Sequence, residues 1–131
     1  MDLKKPEGRE IIYRLVEKSN VFLTNFREAA RKKLGMDYET IRGYNPEVVY
    51  ASATGLGTRG PYSHLPSIDN IGQAWAGATM SLVPPDAPPT WGVFNIGDRA
   101  TSLMLSWGIL AALVAGIALT ALYAPSGLVG Q

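Results

Sequence analysis

No charged side chain follows Arg99 in this 131-residue chain, and Leu103 to Tyr123 is a run of 21 mostly apolar residues. As one α-helix, such a run matches the roughly 30 Å hydrocarbon core of a bilayer. Gly108, Ala112 and Gly116 line one face with small residues, as membrane helix pairs often do. Against insertion, no aromatic belt marks both ends and no basic cluster follows. The segment alone therefore leaves two readings open, a membrane span or a buried core helix.

Charge is concentrated at the other end, between Asp2 and Lys33. Across the chain 12 Lys and Arg oppose 11 Asp and Glu, a net +1 that gives no electrostatic reason for a nucleic-acid partner. The absence of cysteine excludes disulfides, a thiol nucleophile and a Cys-ligated metal. His64 is the one histidine, so no two-His metal site can form within the chain. No metal is expected. Met1 to Pro6 runs into charged residues instead of an apolar segment, so no signal peptide is visible and a cytoplasmic protein is expected.

The elements follow from local patterning. Pro6 to Asn20 reads as an amphipathic helix with Pro6 in its first turn, Ile11, Ile12, Leu15 and Val16 on one face, and a Glu10–Arg14 pair. Val21-Phe22-Leu23 reads as a short strand, Glu28 to Leu34 as a helix closed by Gly35, and Asp37 as the cap of another helix through Tyr44. Val48 to Ser52 reads as a second strand. Strand, helix and strand in that order predict parallel pairing and an α/β protein. A helix is expected from Asn70 to Met80, between loops at Gly55–Pro66 and Pro84–Pro89.

Gly55-Leu56-Gly57-Thr58-Arg59-Gly60 matches G-x-G-x-x-G after a strand, but a dinucleotide site needs a helix to open there. Pro61 and Pro66 argue instead for an extended loop. Asp98 stands just ahead of the long apolar run, where an Asp commonly caps a helix.

Asp2-Leu3-Lys4-Lys5-Pro6-Glu7-Gly8, Val21 to Arg27, Leu34 to Glu39, Asn45-Pro46 with the strand after it, Gly55 to Tyr62, Ile68 to Ala74, and Gly97-Asp98 ahead of Trp107 to Leu113 follow one another along the chain. In that order they resemble the family III CoA-transferases of the CaiB/BaiF type, whose members include formyl-CoA transferase and carnitine CoA-transferase. The resemblance covers residues 1–113 and implies an internal fragment of a Rossmann-like parallel-sheet domain, followed by a long apolar helix. Residues 114–131 read as a divergent apolar tail.

The resemblance implies an enzyme that moves CoA from an acyl-CoA to a carboxylic acid, with Asp98 as nucleophile and coenzyme A as its substrate carrier. It implies that Asp2, Leu3 and Lys4, then Asn25, Phe26 and Arg27, and also Lys33, meet CoA. It assigns Ile68 and Asp69 to the acyl or acid substrate; from the residues alone, Asp69 equally suits a cap of the following helix. Related racemases carry a histidine where Ile68 stands, and an aliphatic side chain cannot move a proton, so an isomerase is the less favoured alternative. Full-length relatives form interlocked homodimers, which is the expected assembly of the parent. The remaining alternative is an inactive, membrane-associated product anchored by residues 103–123.

Overall fold

The computed structural model describes residues 2–81, 83–92 and 94–123. Helix α1, Pro6–Val16, begins where a missing N–H does no harm, because first-turn donors lack a helical acceptor in any case. Glu10 and Arg14 meet at 3.0 Å on its exposed face. The helix ends at Val16, short of the expected Asn20. There the Asn45 side-chain amide donates to the carbonyls of Val16 (3.0 Å) and Ser19 (2.9 Å), tying the helix end to the segment that follows Tyr44. The apolar face is narrower than its sequence pattern. Val16 is buried and Ile12 packs on the core, whereas Ile11 and Leu15 are exposed.

Strands β1, Val21–Thr24, and β2, Val49–Ser52, pair in parallel, with Val21 opposite Val49 and Thr24 opposite Ser52. Parallel neighbours need a long crossover, supplied here by α2, Glu28–Leu34, and α3, Tyr38–Tyr44. Gly35 closes α2 in the left-handed region at φ 66°, where a side chain would be strained. Asp37 caps α3, its carboxylate accepting the Thr40 N–H at 3.2 Å and the Thr40 hydroxyl at 2.8 Å. Burial alone would raise the Asp37 pKa, but the bonds from Thr40, with the Asp37 and Glu39 backbone N–H groups, together hold the group below its ordinary value.

Val16, Ile41 and Val48 form the buried centre, flanked by Ile12, Tyr13, Phe22 and Tyr50. The rings of Tyr13 and Tyr44 stack with centroids 4.1 Å apart, and the Tyr13 hydroxyl donates to the Gly35 carbonyl at 3.1 Å. Burial, then the neighbouring Tyr44, pushes the Tyr13 phenol above its ordinary pKa. The Tyr50 hydroxyl donates to the Met36 carbonyl at 2.7 Å, tying β2 to the start of the α3 turn.

Beyond β2 the glycine-rich loop opens no helix; the next is α4, Asp69–Trp75. The single helix expected from Asn70 to Met80 is broken. Gly77 adopts φ 74°, outside helical geometry, and α5, Ala78–Ser81, starts afresh. Helix α6, Ile96–Tyr123, packs on α4 and β2 and runs without a break through Leu113 and Val114. Its start places Asp98 inside the first turn and not at the cap; Asn95, at φ 45°, precedes the helix.

From Ile96 to Ala118 no side chain of α6 is buried. Leu105, Ile109 and Leu113, four residues apart, are half-buried, while Leu103, Met104, Trp107, Leu110, Val114 and Ile117 are exposed. By length and composition the helix is apolar enough to cross a membrane. The architecture is α/β: two parallel strands with their helices, followed by a long apolar helix. The Gly130-Gln131 end of the tail lies outside the described residues.

Candidate functional site

Parallel strands leave their ligand crevice beyond their C-terminal ends, where loops diverge and helix N-termini converge. Here that region holds a cleft of about 860 Å³. Its walls are the end of β1 and the residues to Glu28, Ala53 to Thr58 after β2, Ser63 and Leu65 to Ile68 before α4, the start of α4, and the first turns of α6. The chain turns back tightly at one edge: a Cβ on Gly55 would stand 2.2 Å from the Ser67 Cβ. Glycine is therefore demanded at Gly55 by close approach, with no phosphate-binding helix behind it.

Six residues singled out by sequence line this cleft together: Asn25, Phe26, Arg27, Ile68, Asp69 and Asp98. Asp2, Leu3, Lys4 and Lys33 do not line it. The Asp2 carboxylate accepts the Lys4 N–H at 3.0 Å on the approach to α1, and Lys33 is exposed on α2. His64 is exposed on its loop. Among the described residues no group of three His, Cys, Asp or Glu is arranged to hold a metal ion.

Asp98 is exposed at the cleft wall, and its carboxylate has no hydrogen-bond or ion-pair partner among the described residues. Its backbone is the opposite, fixed from two sides. The Asp98 N–H donates to Oδ1 of Asp69 at 3.0 Å, and the Ser102 hydroxyl donates to the Asp98 carbonyl at 2.8 Å. A carboxylate in the first turn of a helix sits where the helix dipole favours negative charge. Such a group is free to reach a ligand while its main chain stays in register.

Asp69 is the first residue of α4 and is 8% exposed. Its Oδ2 accepts from the side-chain amide of Gln73, whose Oε1 in turn accepts the Gly92 N–H at 2.7 Å. Gly97 belongs to the same contact, since a Cβ there would come within 2.9 Å of Asp69 Oδ1. Gln73, Gly92 and Gly97 were not singled out as site residues by sequence. The four-residue spacing of Asp69 and Gln73 on one helix was a usable signal; nothing local marked Gly92.

Residues 1–118 match the family model for CoA-transferase family III. The chain is 37% identical over 116 residues to the acetyl-CoA:oxalate CoA-transferase of Acetobacter aceti, covering 88% of this chain and 30% of that one. It is 36% identical over 113 residues to the succinate–glutarate CoA-transferase of Agrobacterium fabrum, covering 86% and 28%. Among solved structures, a CaiB/BaiF family protein from Brucella suis superposes with a TM-score of 0.80 at 35% identity, over 87% of this chain and 30% of that one. A hypothetical protein from Mycobacterium tuberculosis gives the same TM-score at 32% identity. The chain thus spans about 30% of the length of the relatives it matches.

Proposed function

The chain belongs to CoA-transferase family III, and on that premise we propose that it carries the nucleophile and part of the CoA cleft of an enzyme moving CoA from an acyl-CoA to a carboxylic acid. One observation carries the reading: an exposed Asp98 carboxylate, unpartnered among the described residues, in the first turn of α6 and lining the same cleft as Asn25, Phe26 and Arg27. An oxygen of Asp98 attacks the thioester carbonyl carbon, the C–S bond breaks, and CoA leaves as thiolate with an acyl–aspartyl anhydride behind it. The thiolate then attacks the aspartyl carbonyl, which expels the first acid and leaves an aspartyl–CoA thioester. The acceptor carboxylate attacks that thioester, forming a second anhydride and freeing the thiolate. Attack of the thiolate on the acceptor's carbonyl yields the new acyl-CoA and restores Asp98.

Asn25 to Arg27 hold CoA along the cleft, and Ile68 and Asp69 border the acyl or acid group. Asp2, Leu3, Lys4 and Lys33, outside the cleft lining, meet the nucleotide end. Lys33 acts there as a point charge on phosphate, without the bidentate fit of arginine. The full enzyme works in the cytoplasm as a homodimer. Ile68 at the cleft wall supports transfer over racemisation, because no proton can pass through it; exchange of the substrate α-proton without acyl transfer would favour the isomerase.

The test joins this chain to the flanking segments of a full-length relative, supplies acetyl-CoA and an acid acceptor, and traps with hydroxylamine. The expected modification is at Asp98, and Asp98→Ala abolishes it. Modification elsewhere, with Asp98→Ala keeping full turnover, overturns the assignment. The bare apolar surface of α6 supports one competing reading, a membrane-anchored product. Release of the chain into the supernatant on carbonate extraction removes that reading.

A further inference from the structure

A buried carboxylate at Asp69, 29 residues from Asp98 in sequence, accepts the Asp98 backbone N–H. Helix α6 cannot satisfy that donor itself, because the first-turn N–H groups have no carbonyl one turn earlier to bond. The acceptor therefore comes from another helix. On its other oxygen Asp69 is held by Gln73, which is 4% exposed, and Gln73 is held in turn by the Gly92 N–H. The chain of bonds has one donor and one acceptor assignment throughout: Asp98 N–H to Asp69, Gln73 amide to Asp69, Gly92 N–H to Gln73. Gly97 keeps the space open, as any side chain there would crowd the Asp69 oxygen.

We propose that Asp69 is a positioning residue: clamped by Gln73 and Gly92, its carboxylate fixes the first turn of α6 and thereby where the Asp98 carboxylate stands in the cleft. This rests on the reading of Asp98 as nucleophile. It gives Asp69 a role through Asp98, beyond bordering the substrate. Both of its oxygens already receive a protein donor, and little of its side chain is exposed to meet a ligand.

The donor pattern supplies its own test. In Asp69→Asn, one side-chain atom becomes an NH2 group. If its oxygen faces Asp98, its nitrogen confronts the Gln73 amide, donor against donor. If Gln73 flips to relieve that, its nitrogen confronts the Gly92 N–H. Buried unmatched donors are costly, so the clamp opens. Adding Gln73→Glu repairs every bond. The introduced amide then accepts from Asp98 through its oxygen and donates through its nitrogen to the introduced carboxylate, whose second oxygen accepts from Gly92. The charge has moved one helical turn, but the geometry is the same.

Amide hydrogen exchange on the chain itself reads the clamp, and kcat and KM in the flanked enzyme read its consequence. Asp69→Asn is expected to speed exchange at Asp98 and Gly92 by about tenfold or more, and to lower kcat with little change in KM. The double variant Asp69→Asn/Gln73→Glu is expected to recover both. Gln73→Leu, a second route should Asp69→Asn not fold, is expected to deprotect Gly92 most and Asp98 less. Unchanged protection at Asp98 in Asp69→Asn overturns the inference, and so does a double variant that recovers neither readout. Loss of protection with kcat unchanged also overturns it. Failure of the nucleophile reading has a separate signature, full turnover by Asp98→Ala, which no exchange result can produce.

Discussion

Residues 6–52 and residues 69–118 use opposite means to hold their shape. The first region packs Val16, Ile41 and Val48 at a buried centre, sheathed by Phe22, Tyr13 and Tyr50. The second includes the most apolar stretch of the chain, yet none of the α6 side chains from Ile96 to Ala118 is buried. What joins α4 to the start of α6 there is a polar relay: Asp69, Gln73 and two backbone N–H groups. Apolar content and apolar burial are thus different quantities. The region richest in one supplies least of the other, and it is the region that carries the reactive carboxylate.

Stability should therefore respond to truncation in the first region and hardly at all on α6. The largest loss is expected for Ile41→Ala, since Ile41 is fully enclosed; about 2–5 kcal/mol should appear in the urea unfolding midpoint. Next is Asn45→Ala, which removes the side-chain donor to the Ser19 carbonyl and one of the two donors to the Val16 carbonyl. A cost of about 1–3 kcal/mol is expected, visible as a lowered thermal midpoint.

A smaller loss, about 1 kcal/mol, is expected for Asp37→Ala, which removes the α3 cap. Its pH dependence has a defined sign. The folded-state pKa of Asp37 lies below the ordinary 3.8, so its contribution is complete above that value and disappears as pH falls through the folded value. Parent and variant unfolding curves should therefore converge in acid; a constant gap would assign the loss to something other than the ionised cap. The smallest effect is expected for Leu110→Ala on the exposed side of α6, within about 0.5 kcal/mol by the same urea assay. A loss there as large as that of Ile41→Ala would mean that α6 is covered in solution and would erase the contrast between the two regions.

Much of the local structure was legible in the residues. Gly35 and Asp37 mark a helix stop and a helix start, and both do so through contacts made within a few residues. The expected strands differ from those observed by a single residue at an end of each. The helix expected from Asn70 to Met80 was harder, because glycine in a helical pattern costs little enough to be ignored until its φ is known. The site was half legible. The family resemblance drew attention to Asp98, Asp69 and the Asn25–Arg27 turn, which the fold gathers at one cleft. It gave no hint that Asp69 reaches Asp98 through a main-chain bond, or that Gln73 and Gly92 stand behind it.

By itself, the sequence determined the order of the elements through β2 and the stop and start at Gly35 and Asp37, because caps, glycine stops and β-branched runs act over one or two turns of chain. Only the tertiary structure decided which apolar residues are enclosed and which partner each buried polar atom finds. Those outcomes depend on surfaces brought together from distant segments, as with the Asp98 N–H and the Asp69 carboxylate. A donor at a helix N-terminus demands an acceptor, but the demand is the same for every helix. Which residue answers it is set by packing.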